Sequence, residues 1–218
     1  INYALENIHF PGSEEELERA RHRLSMEELL RFLLAVEEMK KERIGAQGIA
    51  FETEGALADY LQHLPFAPTK AQLKVLEDIT RDMGREEQMN RLVQGDVGSG
   101  KTVLAMYALY VAVRNGYQGA MMAPTEILAR QHAENIARLF GEEWKVALLV
   151  GSMGAKQKRE MYARLAAGEV DVVLGTHALI QQGVEFANLG VVIADEQHSF
   201  GVKQRGALSQ NRSADVLV

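Results

Sequence analysis

From about residue 56 onward, short apolar runs alternate with longer stretches whose apolar residues recur at helical spacing. Arg91–Gln94, Ala120–Ala123, Val146–Val150, Val170–Leu174, Val191–Ala194 and Val216–Val218 read as strands. Lys70–Met83, Lys101–Arg114, Glu126–Phe140 and Lys156–Ala167 read as the helices between them. Strand and helix in alternation predict an α/β fold, a largely parallel sheet with helices on both faces. Ligands bind such sheets beyond the carboxyl ends of the strands. Val103–Val113 is apolar almost all round, as expected of a helix buried in such a fold.

The first 45 residues follow another pattern. Ser13 with Glu16 and Ser25 with Glu28 fit the capping box, and Leu24 and Leu29 stand at the staple positions around the second box. Leu29, Leu30, Leu33 and Val36 then recur at helical spacing, so helices joined by a short turn are expected, ending in a looser connection at Gly45, Gly48 and Gly55. The domain boundary is placed at residue 55. The chain opens on Ile1 and closes on a strand-like Asp215–Val218, which reads as an excerpt of a longer protein.

Composition changes this picture little. The chain has 218 residues, 47% of them hydrophobic and 25% charged, as in an ordinary globular protein. A net charge of −6 does not announce a nucleic-acid binder, although a local basic groove can sit on an acidic domain. The absence of cysteine excludes disulfides and Cys-ligated metal sites. The longest apolar run falls well short of the roughly 18 residues of a membrane span. No signal peptide is visible, and a cytoplasmic location with no membrane partner is expected.

The strongest chemical signal is Gly95-Asp96-Val97-Gly98-Ser99-Gly100-Lys101-Thr102, which satisfies G-x-x-x-x-G-K-[ST] between a strand and a helix. Glycines let successive N–H groups turn inward toward phosphate oxygens. Lys101 would reach the β and γ phosphates of ATP, and the Thr102 hydroxyl would ligate Mg²⁺. The second signal is Val191–Ala194 followed by Asp195-Glu196. A carboxylate at that strand end is placed to hold Mg²⁺ through water, and Glu196 to orient and deprotonate the attacking water. A guanine-reading Asn-Lys-x-Asp and a Leu-Ser-Gly-Gly signature are both missing, which argues against a GTPase or an ABC-type ATPase.

Further motifs carry a family resemblance. Asp195-Glu196-Gln197-His198 resembles motif II of superfamily 2 helicases, in the form typical of the RecG family. Phe200–Arg205 is similar to the segment that follows it in RecG and its relative Mfd. Ala123–His132 resembles motif Ia, Gly175–Ala178 motif Ib, and Leu64–Phe66 with Thr69–Gln72 the Q-motif region. The first segment, from Ile8–Pro11 to Glu27–Leu30, reads like the linker after the wedge domain of that family. Ser199 stands where relatives carry Arg.

The resemblance implies a RecA-like P-loop NTPase domain over 56–218, ending before motif III, with 1–55 as a helical linker. It implies an ATP-dependent DNA helicase active in repair and recombination. Its DNA partners would be forks and Holliday junctions, and it would be a monomer. The second motor lobe and the wedge domain lie outside this chain, so the chain alone is expected to be nearly inactive. The resemblance further implies that Gln72 reads the adenine edge while Phe66 packs on its face. Thr69 and Gln72 equally form a capping box for the next helix. Pro124-Thr125 and Gly175-Thr176-His177 would touch the DNA backbone, though Pro-Thr is also an ordinary helix start. Gln197 and His198 would couple nucleotide state to the rest of the motor. An Mfd-like translocase lobe acting on duplex DNA, and a nucleotide-binding module inert by itself, are the competing readings.

Overall fold

A computed structural model of the protein describes residues 2–43, 48–96, 98–181, 183–195 and 214–218. The chain divides into two compact units, Ile1–Gly45 and Ala46–Val218.

In the first unit, α1 (Asn2–His9) is followed by α2, a single 30-residue helix over Glu14–Arg43. Ser13 caps α2 as expected, its hydroxyl accepting the Glu16 N–H at 3.2 Å. The second expected start, at Ser25, is overturned, because α2 runs straight through it. The residues around Ser25 are strong helix formers, so one serine costs less than breaking the ladder. Ion pairs from Arg19 to Glu15 and from Arg31 to Glu27 span single turns on this helix and add small increments.

The second unit is built on a six-stranded, all-parallel sheet. In chain order the strands are β1 (Asn90–Arg91), β2 (Gln118–Met122), β3 (Val146–Leu149), β4 (Val172–Gly175), β5 (Leu189–Ala194) and β6 (Asp215–Leu217). They lie in the order β1-β6-β5-β2-β4-β3. The helices are α3 (Ala56–His63), α4 (Lys70–Met83), α5 (Lys101–Arg114), α6 (Glu126–Phe140) and α7 (Ala155–Ala166), with a 3₁₀ turn at His177–Ile180. Strands β2 to β6 and helices α4 to α7 fall close to where the hydrophobic pattern places them, whereas β1 pairs over Asn90–Arg91 and shares only Arg91 with the expected Arg91–Gln94. The α/β class is therefore as expected.

The strands read as unbroken apolar runs because both faces are buried. Met121, Val172, Leu174, Val191 and Ile193 point into one core with Leu76, Ile79, Tyr107 and Leu109. Their neighbours Ala120, Met122, Val173 and Val192 point into the other, with Leu165 and Leu179. Helix α5 is buried along most of its length, from Leu104 to Leu109 and at Val111 and Ala112. Residues 48–55 also belong to this unit: Phe51 is buried, and its N–H donates to the Met83 carbonyl at 2.9 Å. No described helix is long and apolar enough to cross a membrane.

One buried carboxyl makes stability depend on pH. Asp215 opens β6 fully buried, with Oδ1 accepting the Met89 N–H at 2.7 Å and Oδ2 without a partner among the described residues. Burial pushes this carboxyl from the ordinary 3.8 up to about 7, against the Met89 N–H and with help from nearby Asp82. The folded chain thus holds a proton that the unfolded chain releases near pH 4. The stability this contributes is present below that pH and is lost as pH rises toward 7. Asp215→Asn keeps an acceptor for Met89 and cannot ionise. Relative to wild type, the variant is expected to gain on the order of 3 kcal/mol between pH 4 and pH 8. Denaturant melts at both pH values check this, and parallel pH profiles for the two proteins would refute it.

Candidate nucleotide and nucleic-acid site

Strand register brings the site residues to one edge of the sheet. Leu149 pairs with Gly175, Gly175 with Met122, and Met122 with Ala194. The residues that follow these four positions, Gly151-Ser152, Thr176-His177, Pro124-Thr125 and Asp195, therefore leave the sheet along a common carboxyl-end rim. At the other end of the rim, the Val93 N–H donates to the Val218 carbonyl at 2.7 Å and the chain then enters the glycine-rich loop. Strand β6 lies between β1 and β5. With strands spaced about 4.8 Å apart, the loop after β1 and the acid after β5 rise from positions roughly 10 Å apart.

The loop is shaped for anions. Gly98 and Gly100 adopt left-handed conformations, φ 81° and 83°, which a side-chain-bearing residue resists. Gly100 is the N-cap of α5 and offers no side chain to cover that helix's free N–H groups. Lys101 folds back over the loop, its Nζ donating to the carbonyls of Gly95 (2.6 Å) and Asp96 (2.9 Å). Thr102 follows on the first turn of α5, half-buried. Ser99 lies between Gly98 and Gly100 in the turn, and Val97 falls outside the described residues. This donor set fits a nucleotide's phosphates: a curled main chain, a helix start and one ammonium. Among the described residues no group of three or more His, Asp or Glu could hold a metal ion. A cation here would draw on Thr102, Asp195 and phosphate oxygens instead.

Gln72 does two jobs at once. Its Oε1 accepts the Thr69 N–H at 2.8 Å, completing the capping box of α4. Its Nε2 donates to the Ser99 carbonyl at 2.9 Å, tying α4 to the glycine-rich loop. A side chain at Gly100 would collide with that amide. Phe66 stands 49% exposed on the segment before α4, its ring open to a planar ligand.

On the rest of the rim, Thr125 is the N-cap of α6, its hydroxyl accepting the Leu128 N–H at 3.2 Å. Capping of this kind is worth about 1 kcal/mol, so the residue has a structural task whatever else it touches. Pro124 before it is half-buried. Gly175 is buried, and a Cβ there would overlap the Leu149 carbonyl, so glycine is required by the packing of β4 on β3. Thr176 is half-buried, and His177 is exposed at the start of the 3₁₀ turn. Glu196, Gln197, His198 and Ser199 fall outside the described residues, as does the stretch to residue 213.

Two features escaped sequence reasoning. Glu126 grips the loop after β3, accepting the Ser152 N–H at 3.0 Å and the Ser152 hydroxyl at 2.6 Å. These bonds from the Ser152 hydroxyl and amide hold its carboxyl below the usual range. The signal was a Gly-Ser after a buried strand, of the same kind as Gly175-Thr176. The second is His132 of α6, whose Nε2 lies 3.1 Å from Asp195 Oδ2. Here the signal was a histidine on the apolar stripe of Ala129, Ile136 and Phe140.

Comparison with known proteins agrees with this geometry. Over 98% of its length the chain is 51% identical to an ATP-dependent DNA helicase RecG of Bacillus subtilis. It is 47% identical to the protein of that name from Thermotoga maritima over 100% of its length. It covers 32% and 28% of those two proteins, so it spans about a third of the relatives it matches. A solved structure of RecG bound to a three-way DNA junction shares the RecA-like fold with a TM-score of 0.82 and 44% identity. That match covers 99% of this chain and 29% of the other. Residues 69–215 match the DEAD/DEAH box helicase family, a span running from the cap of α4 to the start of β6. The chain therefore belongs to the DEAD/DEAH box helicase family.

Proposed function

We propose that this chain is the first motor lobe of an ATP-dependent DNA helicase that acts on branched DNA, regressing forks and migrating Holliday junctions. In this reading residues 56–218 are the lobe, with 48–55 packed on it, and the segment before it is the linker that joins it to the parent protein. The observation that carries it is the division of labour along one sheet edge. The phosphate cradle and Asp195 occupy the β1–β5 end, and the turns after β2 and β4 occupy the other. A single sheet thus carries both sets of turns at one edge. The similar RecG structure was solved on a three-way junction, which favours branched DNA as the substrate class.

The residues present divide the chemistry as follows. Gly98, Gly100 and the first turn of α5 present N–H groups to the phosphates. Lys101 exchanges the carbonyls of Gly95 and Asp96 for β- and γ-phosphate oxygens, which replaces neutral acceptors with anionic ones. The Thr102 hydroxyl and the Asp195 carboxylate would hold Mg²⁺, and Glu196 would take the proton of the attacking water. Phe66 packs on the adenine, and Gln72 meets its edge from the cap of α4 while holding the loop. Bound Mg·ATP supplies the phosphoanhydride whose cleavage drives movement along DNA. Pro124-Thr125 and Thr176-His177 contact the DNA backbone, with Gly175 setting the close strand approach beneath them. Gln197 and His198 pass the nucleotide state onward.

The test is a fork-regression assay on the full-length protein carrying this chain, with and without ATP. ATP-dependent regression, together with ATP turnover stimulated more by forked than by linear duplex, is the expected result. Turnover indifferent to all DNA would overturn the proposal. Equal stimulation by linear duplex with no regression would point to a duplex translocase instead.

A further inference from the structure

Helix α6 turns a buried face toward the sheet through Ala129, His132, Ile136 and Phe140. Three of these are apolar, and an apolar side chain would satisfy the fourth position equally well as packing. An imidazole there carries two polar nitrogens into a site where His132 is only 6% exposed. Burying such a group costs free energy unless it is hydrogen-bonded. Its Nε2 lies 3.1 Å from Asp195 Oδ2. Its Nδ1 is buried with no partner among the described residues. An ionised carboxylate only accepts, so in this contact Nε2 is the donor.

From the side of Asp195 the contact is equally specific. The Asp195 N–H donates to the Met122 carbonyl at 2.9 Å, which continues the β5–β2 ladder and fixes the backbone. The side chain is only partly covered, and among the described residues it hydrogen-bonds His132. One carboxylate oxygen, Oδ2, is thus engaged from the α6 side.

We infer that His132 is a positioning residue for Asp195. Through its Nε2–H it holds the carboxylate in the orientation that presents the free oxygen to the hydrated Mg²⁺ of the nucleotide. This inference rests on the nucleotide-site reading above. Groups that orient a metal-holding carboxylate in this way typically change metal affinity or activity about 10–100-fold when removed.

Two substitutions separate donor position from polarity. In His132→Gln the amide nitrogen falls where Nε2 was, whereas in His132→Asn it falls near Nδ1 and cannot reach Asp195. Both are made in the full-length protein, beside His132→Leu, with thermal melts to confirm folding. The main readout is binding of a fluorescent ADP derivative titrated with Mg²⁺, which needs no turnover. The Mg²⁺ midpoint is expected to rise about 10-fold in Asn and Leu and to stay near wild type in Gln. Binding without Mg²⁺ should be unchanged in all three. Wild-type midpoints in Asn and Leu, or equal defects in Asn and Gln, would overturn the inference. Should Leu fail to fold, the Asn–Gln pair still decides the matter. Lys101→Ala serves as the control: if that variant turns over ATP normally, the nucleotide-site reading fails independently of His132.

Discussion

Lys101→Ala in the full-length protein is expected to lower ATP turnover by at least about 10²-fold while leaving the fold intact. A preorganised donor aimed at developing charge is typically worth about 10²–10³ in rate. Lys101 is the cation that the loop itself brings to the phosphates, and its Nζ already lies against the carbonyls of Gly95 and Asp96. Those two bonds sit at the surface, where a hydrogen bond contributes about 1 kcal/mol or less to stability. The core that holds the loop, Tyr107, Leu109 and Val111 on α5 with Val191 and Ile193 on β5, is untouched by the change. Circular dichroism and ATPase rates on one preparation check both halves. Near-normal turnover in a folded variant would sink the assignment of the cradle.

The fold was readable wherever burial imposes a pattern in one dimension. Strands β2, β4 and β5 lie inside the sheet and are covered on both faces, so they appear as apolar runs between breakers. Helix α5 is bounded by Gly100 before it and by Asn115-Gly116 after it, and both of its ends were legible. Helix α3 was not, because its N-cap is a left-handed Gly55 with no side-chain bond and gives no capping signal. Ser25 misled in the opposite direction: a correct local motif was overruled by the helix already running through it.

The site divides along the same line. The cradle and the acidic strand end are contiguous in sequence and were visible. What Gln72 does with its second amide end depends on Ser99, 27 residues away. The His132–Asp195 pair spans 63 residues. Only the packing of α6 on the sheet brings those two together, and periodicity carries no trace of the meeting.

Asp195 and Glu196 are expected to fail differently. Glu196→Gln removes the base and keeps the shape. Mg·ATP binding should survive, while hydrolysis falls by about 10²–10⁴-fold, the usual share of a positioned general base. The variant should then accumulate in its ATP-bound state. Asp195→Asn removes charge beside the cation and also replaces the carboxylate oxygen that accepts from His132 with a neutral amide. Its primary defect should be in Mg²⁺-dependent nucleotide binding, appearing as a raised Mg²⁺ midpoint with a correspondingly weakened affinity. Nucleotide titrations at several Mg²⁺ concentrations, followed by single-turnover hydrolysis at saturation, separate the two. High Mg²⁺ should restore binding in Asp195→Asn but should not restore hydrolysis in Glu196→Gln. Equal binding defects in both variants would mean that the two carboxylates share the cation, and the division of roles between them would have to be abandoned.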